Sequence, residues 1–253
     1  TYDYRTFFNI IGGLVILVGI LTAILMEDSH PQMEKRDGYF AAIFYGFRPI
    51  AVRENTMLYL VLAAFCIFST ALQVFMPYYV LYLRLPNVLS DSYVLVMAPG
   101  IVIAAVFTIL YGRVMDRRGF SHAIRLPFAL FLVGCVLLTV SPAMPVVFAG
   151  SVLMLSGYLG ATTCFAAEIR NNTPLDRVGL FQGLRIFTIV LVPMLIGPWI
   201  GSAVSASGGN IGFGVVGDTF TPSSMVFLAG AAVSLLAIIV LVAIRRRTKA
   251  DVR

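Results

Sequence analysis

Long apolar runs separated by short polar breaks dominate the sequence. A helix needs about 20 apolar residues to cross the hydrocarbon core of a bilayer, and most runs reach or approach that length. The pattern predicts seven spans, at Phe7–Met26, Met57–Leu83, Tyr93–Arg113, Ala123–Val140, Val146–Ala167, Gly179–Ser205 and Ser224–Ile244. We therefore expect an all-α integral membrane protein.

The polar breaks divide the chain into three parts. The longest break, Glu27–Thr56, is rich in charged residues, and its segment Tyr39–Phe47 is rich in aromatic residues that favour the membrane interface. Ser141–Pro145 predicts a tight turn, and Ser205–Pro222 is a Gly/Ser-rich loop. We predict one helix in residues 1–26, a central loop in residues 27–56, and a six-helix bundle in residues 57–253.

Composition supports a membrane protein and argues against soluble classes. Hydrophobic residues make up 59% of the chain and charged residues 12%, whereas soluble domains carry about 25% charged residues. The net charge of +6 comes without a basic stripe interleaved with aromatic residues, so we expect no nucleic-acid partner. Cys66, Cys135 and Cys164 fall inside apolar runs, far apart, and are interpreted as small core residues.

The basic residues indicate the orientation in the membrane. With alternating spans, fifteen of the 18 Lys and Arg residues fall on one side, and only Arg5 and Arg84 fall on the other. Cytoplasmic loops carry the excess of Lys and Arg. The pattern predicts a cytoplasmic C-terminus in a plasma membrane, here a bacterial inner membrane. Arg185 is left over, at the edge of a span or inside it.

One motif between the third and fourth spans resembles a family signature. The stretch Gly112–Phe120 reads G-R-V-M-D-R-R-G-F, and it is similar to the G-x-x-x-D-(R/K)-x-G-(R/K) loop of the major facilitator superfamily. Phe120 departs from the basic residue that usually ends the motif. The resemblance implies the C-terminal six-helix bundle of such a transporter, preceded by the last helix of its N-terminal bundle. It also implies that the N-terminal portion is missing, which agrees with the start at Thr1, and that the complete protein is a monomer.

The same resemblance implies a gating role for the motif. Glycines let a cytoplasmic loop bend sharply and pack closely, and a carboxylate such as Asp116 can lie against a helix N-terminus. The basic residues of the motif can pair with Glu168 or Asp176. The gating candidates are Gly112, Arg113, Asp116, Arg117, Arg118, Gly119, Glu168, Gln182 and Arg185. The plain alternative is an ordinary basic cytoplasmic loop.

Candidate substrate contacts lie in two spans. In the family the first helix of each three-helix repeat lines the cavity, here Met57–Leu83 and Val146–Ala167. Amides, phenols and hydroxyls can hydrogen-bond the hydroxyl groups of a sugar, and aromatic rings can stack on its apolar face. The candidates are Gln73, Tyr78, Tyr79, Tyr158, Thr162 and Thr163. The alternatives are that the two neighbouring tyrosines are interfacial aromatics and that the threonines bond their own helix.

The sixth predicted span opens with Gln182 and Arg185. Arg185 has three interpretations: it binds an anionic substrate, pairs with Glu168 or Asp116, or extends to the interface. Further along, Gly197-Pro198-x-x-Gly201 is similar to a signature of antiporters in this superfamily. There the signature stands in the fifth helix, and here it would stand in the eleventh.

The ionisable residues constrain the mechanism. Neither Asp nor Glu lies in the middle of a span, and coupled carriers need such a group in their path. We therefore expect a coupling proton or sodium ion, if there is one, to bind the N-terminal half, and we expect no metal site or cofactor in this chain. Two stretches, residues 73–78 and 181–185, are similar to glycoside–pentoside–hexuronide carriers, so a sugar or glycoside is the expected substrate.

Three other functional classes are alternatives to a sugar carrier. A membrane-embedded enzyme would need paired carboxylates or a Ser/His/Asp set within the spans, and the sequence contains neither. A seven-helix receptor fits the number of spans but not the long loop after the first. A proton-coupled efflux carrier for drugs or metabolites stays open, because the direction of transport depends largely on the N-terminal half.

Overall fold

The computed structural model describes residues 4–25, 45–174, 178–207 and 222–251, and all regular elements in these ranges are helical. The first helices are α1 (Tyr4–Leu25), α2 (Pro49–Glu54), α3 (Thr56–Leu83), α4 (Tyr93–Arg118) and α5 (Phe120–Ala123). They are followed by α6 (Arg125–Val140), α7 (Met144–Asn172), α8 (Val178–Ile186), α9 (Val192–Ser207) and α10 (Met225–Asp251). A π-helical stretch, Phe187–Leu191, joins α8 to α9 in one span.

The seven predicted spans are confirmed as seven helices long and apolar enough to cross a membrane. Three helices are longer than predicted: α4 ends at Arg118 instead of Arg113, α7 at Asn172 instead of Ala167, and α10 at Asp251 instead of Ile244. The apolar pattern marks where the hydrocarbon core ends, but Arg and Lys are good helix formers. The backbone therefore stays helical past the last apolar turn.

The chain separates into two units, residues 1–38 and residues 39–253. The first unit contains α1, which is 22 residues long and apolar on all sides. Such a helix suits a lipid environment or the interior of a larger bundle.

In the second unit, two helices organise the packing. Helix α3 packs along α9 and α10, and α7 packs along α4 and α6; α3 also meets α7, and α6 meets α10. The six spans form two sets of three, α3, α4, α6 and α7, α8–α9, α10. If each helix is exchanged for the helix at the same place in the other set, the same list of pairings results. Two spans, α4 and α6, lie between α3 and α7, so if every span crosses the bilayer α3 and α7 run in opposite directions and the two sets are inverted.

Glycines permit the closest contacts around both α7 and α3. A Cβ atom at Gly157 would overlap the backbone of Phe131, and one at Gly134 would overlap the backbone of Met154, so α6 and α7 meet backbone to backbone. On the other side, a Cβ at Gly197 would overlap Gln73 and a Cβ at Gly201 would overlap the Val74 carbonyl. Small residues at such contacts are how membrane helices gain packing energy where lipid offers no hydrophobic drive.

An aromatic cluster fills the space between α3, α6, α7 and α10. The rings of Phe65 and Phe165 stack with centroids 5.0 Å apart, and Phe68 lies edge-on to Phe131 at 5.1 Å. Phe227 of α10 reaches Phe75 at 5.5 Å. Aromatic pairs at such distances add about 0.5–1.5 kcal/mol beyond the area they bury, so this cluster holds the four helices together.

The end of the predicted central loop packs against the bundle. A 3₁₀ turn, Tyr45–Phe47, contacts α8, and the rings of Phe47 and Phe187 meet at 5.4 Å. The Tyr59 hydroxyl donates to the Gly46 carbonyl. The packed unit thus extends upstream of residue 57, where we predicted its start. The rest of the aromatic segment, residues 39–44, lies outside the described residues.

The span Val178–Ser207 changes its helical pitch before a proline. Pro193 has no amide proton, so the Ile189 carbonyl loses its usual α-helical donor, and the backbone runs as a π-helix over Phe187–Leu191. Insertions of this kind are a recognised cause of bends in long helices. The regular α-helical pattern is thus interrupted just before Pro193.

Candidate functional site

The family-like motif is mostly helical. Residues 112–118 form the last two turns of α4, which corrects the prediction that they are a loop. The turn itself is Gly119, with φ 71° and ψ 164°. This backbone region is essentially open to glycine alone. Gly119 is therefore the position at which the motif requires a glycine.

Phe120 anchors this turn. Its side chain is 6% exposed, and its ring centroid lies 5.6 Å from that of Phe165 in α7. The Tyr111 hydroxyl donates to the Ala123 carbonyl at 2.7 Å and ties the end of α4 to α5. The residue that departs from the family pattern thus has a packing role, which sequence reasoning missed because it judged Phe120 only against the expected basic residue.

The predicted ion pairs are not formed within the described residues. Asp116, Arg113, Arg117 and Arg118 are exposed, and Glu168 instead accepts a hydrogen bond from Asn172 of its own helix at 3.0 Å. Asp176 lies outside the described residues. The space around Gly112 is open among the described atoms, so the predicted close packing is absent at that glycine.

The α3 candidates divide into accessible and buried positions. Gln73 is half-buried beside Gly197 of α9, and the Tyr78 hydroxyl donates to the Pro198 carbonyl at 3.2 Å. Tyr79 is 2% exposed and packs edge-on against Phe227 at 6.1 Å. The ring of Tyr79 therefore belongs to the aromatic core, and its contact with substrate stays a prediction.

The two threonine candidates of α7 hydrogen-bond their own helix, which is the alternative stated for them. Thr162 donates to the Tyr158 carbonyl and Thr163 to the Leu159 carbonyl, each at 2.8 Å and within α7. Tyr158 and Thr162 are half-buried, whereas Thr163 is exposed. A threonine that donates to its own helix keeps acceptor capacity on its oxygen, so Thr162 can still accept a hydrogen bond from a solute.

Three buried hydroxyl groups have no hydrogen-bond partner among the described residues. They belong to Tyr79 of α3, Ser151 of α7 and Ser205 of α9. Tyr79 and Ser151 are neighbours across the α3–α7 contact but stay outside hydrogen-bond geometry. All three lie near the helix ends on the predicted arginine-poor side.

A small cavity opens at the opposite helix ends. It has a volume of about 90 Å³. Its described lining comes from α3, α7, α8 and the residues beside them: Leu58, Leu62, Ile169, Arg170, Thr173, Val178, Phe181, Gln182 and Arg185. Gln182 and Arg185 were predicted as a functional pair, and the structure places both here. Arg170 and Thr173 were missed; their i, i+3 spacing on one helix face was the available signal.

The described residues contain no group of three His, Cys, Asp or Glu side chains that could hold a metal ion. The class defined by the fold is an all-α protein with seven helices suited to a membrane. Comparison with protein-family models, characterised proteins and solved structures finds no match for this chain.

Proposed function

We propose that this chain is the C-terminal bundle of a secondary transporter of the major facilitator type, together with the last helix of the N-terminal bundle. It moves a small polar solute, a sugar or glycoside, by alternating access. In this proposal α1 belongs to the N-terminal bundle, residues 27–56 connect the bundles, and the complete transporter is a monomer in a bacterial inner membrane with its C-terminus in the cytoplasm.

The observation that carries the proposal is the exchange symmetry of the helix pairs. The pairings of α3 and of α7 interchange when the two three-helix sets are exchanged. Inverted repeats of three helices within a six-helix bundle are the building plan of this transporter class. Neither a receptor nor a membrane-embedded enzyme requires such a repeat.

Burial of the individual helices supports a second bundle as a partner. Buried residues form 67% of the apolar stretch of α3 and 50% of that of α7, but only 17% of that of α4 and of the α8–α9 span. The two thinly buried helices are each other's counterparts under the exchange. Both flank the central pair α3 and α7, so each has a face available to an N-terminal bundle.

The polar side chains of the central pair suit a neutral solute. Gln73 of α3 and Tyr158 and Thr162 of α7 are half-buried and offer amide, phenol and hydroxyl groups. These groups can exchange hydrogen bonds with sugar hydroxyls. With no carboxylate in mid-span, ion coupling in this proposal belongs to the N-terminal bundle.

The motif contributes a rigid turn with uncompensated charges beside it. Gly119 and Phe120 fix the connection from α4 to α6, while Asp116, Arg113 and Arg117 stay exposed. In the proposal these charges pair with groups of the N-terminal bundle in one of the two conformations. Formation of these ion pairs stabilises the closed cytoplasmic gate, and their breakage lets the gate open.

The test is uptake of labelled sugars by cells that express the full-length gene product. We expect uptake that falls about tenfold or more in Asp116→Asn and in Gln73→Leu, at unchanged amounts in the membrane. The matched control is Thr139→Val on α6, a threonine that donates to the Cys135 carbonyl of its own helix and is not a candidate contact. Export of drugs without sugar uptake would replace the substrate by that of an efflux carrier, and no transport of any solute would overturn the proposal.

A further inference from the structure

The cavity at the ends of α3, α7 and α8 combines apolar walls with two cations. Leu58, Leu62 and Phe181 provide apolar surface, and Phe181 is 3% exposed. Arg170 enters from α7 and Arg185 from α8, with Gln182 beside them as a neutral donor. The two arginines therefore line one cavity from two separate helices.

The charge of this cavity is not balanced within the described structure. None of the described lining residues is acidic, and neither Arg170 nor Arg185 has an ion-pair partner among the described residues. Glu168, the nearest acidic residue along α7, is engaged by Asn172. Two like charges at one site repel each other, and an anion between them removes that repulsion.

Arginine favours a particular class of anion. Its planar guanidinium group donates paired hydrogen bonds to phosphate or carboxylate oxygens. The volume of about 90 Å³ is several times the space that one water needs. That space accommodates a tetrahedral anion.

The position in the membrane selects a source for such an anion. The cavity lies on the side where the Lys and Arg residues concentrate, which is the predicted cytoplasmic side. Basic pockets between membrane helices on that side are suited to anionic lipid headgroups. The apolar residues beside the arginines could contact the first carbons of a lipid chain.

We propose that Arg170, Arg185 and Gln182 form a binding site for a phosphate group, contributed by an anionic lipid headgroup or by a free phosphate anion. The two arginines donate hydrogen bonds to the phosphate oxygens, and Gln182 donates a further one. The test of this site measures binding and not transport, so its failure is distinguishable from failure of the proposed function.

The test is calorimetric binding to the purified 253-residue chain in a neutral detergent. The probes are dihexanoyl phosphatidylglycerol, dihexanoyl phosphatidylcholine and inorganic phosphate. We expect the anionic lipid to bind and the zwitterionic lipid not to bind. Competition by inorganic phosphate at similar concentration would identify a free anion as the source, and failure to compete would identify the lipid.

Variants assign any binding to the cavity. Arg170→Gln and Arg185→Gln should each weaken binding about tenfold, the value of one charge-assisted hydrogen bond, and Gln182→Leu should weaken it less. The matched control is Arg125→Gln, an exposed arginine on the same predicted side that does not line the cavity. Unchanged elution and helix content of each variant show that it is folded.

Three results would overturn the site. One is that no phosphate-bearing probe binds. Another is that the control weakens binding as much as the two cavity variants, since attraction would then come from the basic surface in general. The third concerns Asp176, which lies between Thr173 and Val178 in sequence: binding by Asp176→Asn but not by the unaltered chain would mean that this carboxylate neutralises the arginines.

Discussion

The contacts around α7 and those around α3 have the same helix pairing but are made by different residues. Around α7, the central helix carries Gly150, Gly157 and Gly160, which face α6 and α4, and its partner α6 adds Gly134. Its counterpart α3 has no glycine between Thr56 and Leu83. Around α3 the partners alone carry the glycines, Gly197 and Gly201 on α9 and Gly230 on α10.

The second helices of the two sets also differ. Helix α4 is continuously helical from Tyr93 to Arg118, whereas its counterpart is interrupted by the π-helical stretch Phe187–Leu191. Helix α9 contacts α10 directly, while the end of α4 packs against the short helix α5. Close approach of the helices is thus common to both sets, but only one set contains a local break, which makes that span the easier one to bend.

The largest expected effect is at Gly157 on the α6–α7 contact. Gly157→Leu puts a side chain into the backbone of Phe131, and both helices are fixed by the aromatic cluster. Overpacking costs about 1–3 kcal/mol and more where nothing can move, so we expect a loss of about 3 kcal/mol or greater. Thermal unfolding in detergent measures it. Gly112→Leu, where the added atoms meet open space, should unfold near the temperature of the unaltered chain.

Gly201 gives the corresponding test at the α3–α9 contact. Gly201→Leu meets the Val74 carbonyl and the Tyr78 ring, but α9 is thinly buried and can shift outward. We expect a loss of about 1–3 kcal/mol, smaller than that of Gly157→Leu in the same unfolding assay. A variant as stable as Gly112→Leu would mean that α9 is not held against α3.

The sequence predicts the spans well because the length of an apolar run is a local property. Which faces of the helices meet is not local. Tyr79 and Tyr78 are adjacent and were given one role, yet one ring belongs to the core and the other hydroxyl reaches α9. The three-helix repeat was expected only from the family resemblance, because the residues themselves do not show it: the glycines fall at different places around α7 and around α3.

The residues that line the cavity were predictable only where a charge stood at a position that the predicted topology did not explain. Arg185 stood out because the predicted topology placed it in no loop, and it lines the cavity. Arg170 did not stand out, since an arginine after an apolar run is expected on the cytoplasmic side. That Arg170 and Arg185 line the same cavity depends on how the ends of α7 and α8 are placed in the fold.

A smaller effect is expected at the turn after α4. Gly119→Ala keeps the fold but forces a Cβ into a backbone region that only glycine occupies readily, at a cost of about 1–3 kcal/mol. Gly119→Asn should not restore stability, because asparagine tolerates the left-handed helical region and not this one. Equal stability of all three proteins in thermal unfolding would contradict the assigned φ and ψ values.

The smallest effect on stability is expected at Pro193. Pro193→Ala supplies an amide that can donate to the Ile189 carbonyl and convert the π-helical stretch to α-helix. A gained hydrogen bond of about 1 kcal/mol is offset by the loss of buried proline contacts, so the net change should stay within about 1 kcal/mol. Hydrogen exchange should slow at residues 189–192, and unchanged exchange there would argue that the proline does not cause the π-helical stretch.

The most direct test of the account is cross-linking of the paired helices in membranes. In a chain with Cys66, Cys135 and Cys164 replaced by alanine, cysteines at Gln73 and Gly197 join α3 to α9. A Cβ at Gly197 would lie closer to that of Gln73 than the ~3.8 Å of a disulfide, so the thinly buried α9 has to shift outward by about an ångström for the bond to form. The account predicts disulfide formation for this pair and none for cysteines at Gln73 and Gly112. A cross-link only in the second pair, or equal cross-linking in both, would contradict the helix pairing on which the transporter proposal depends.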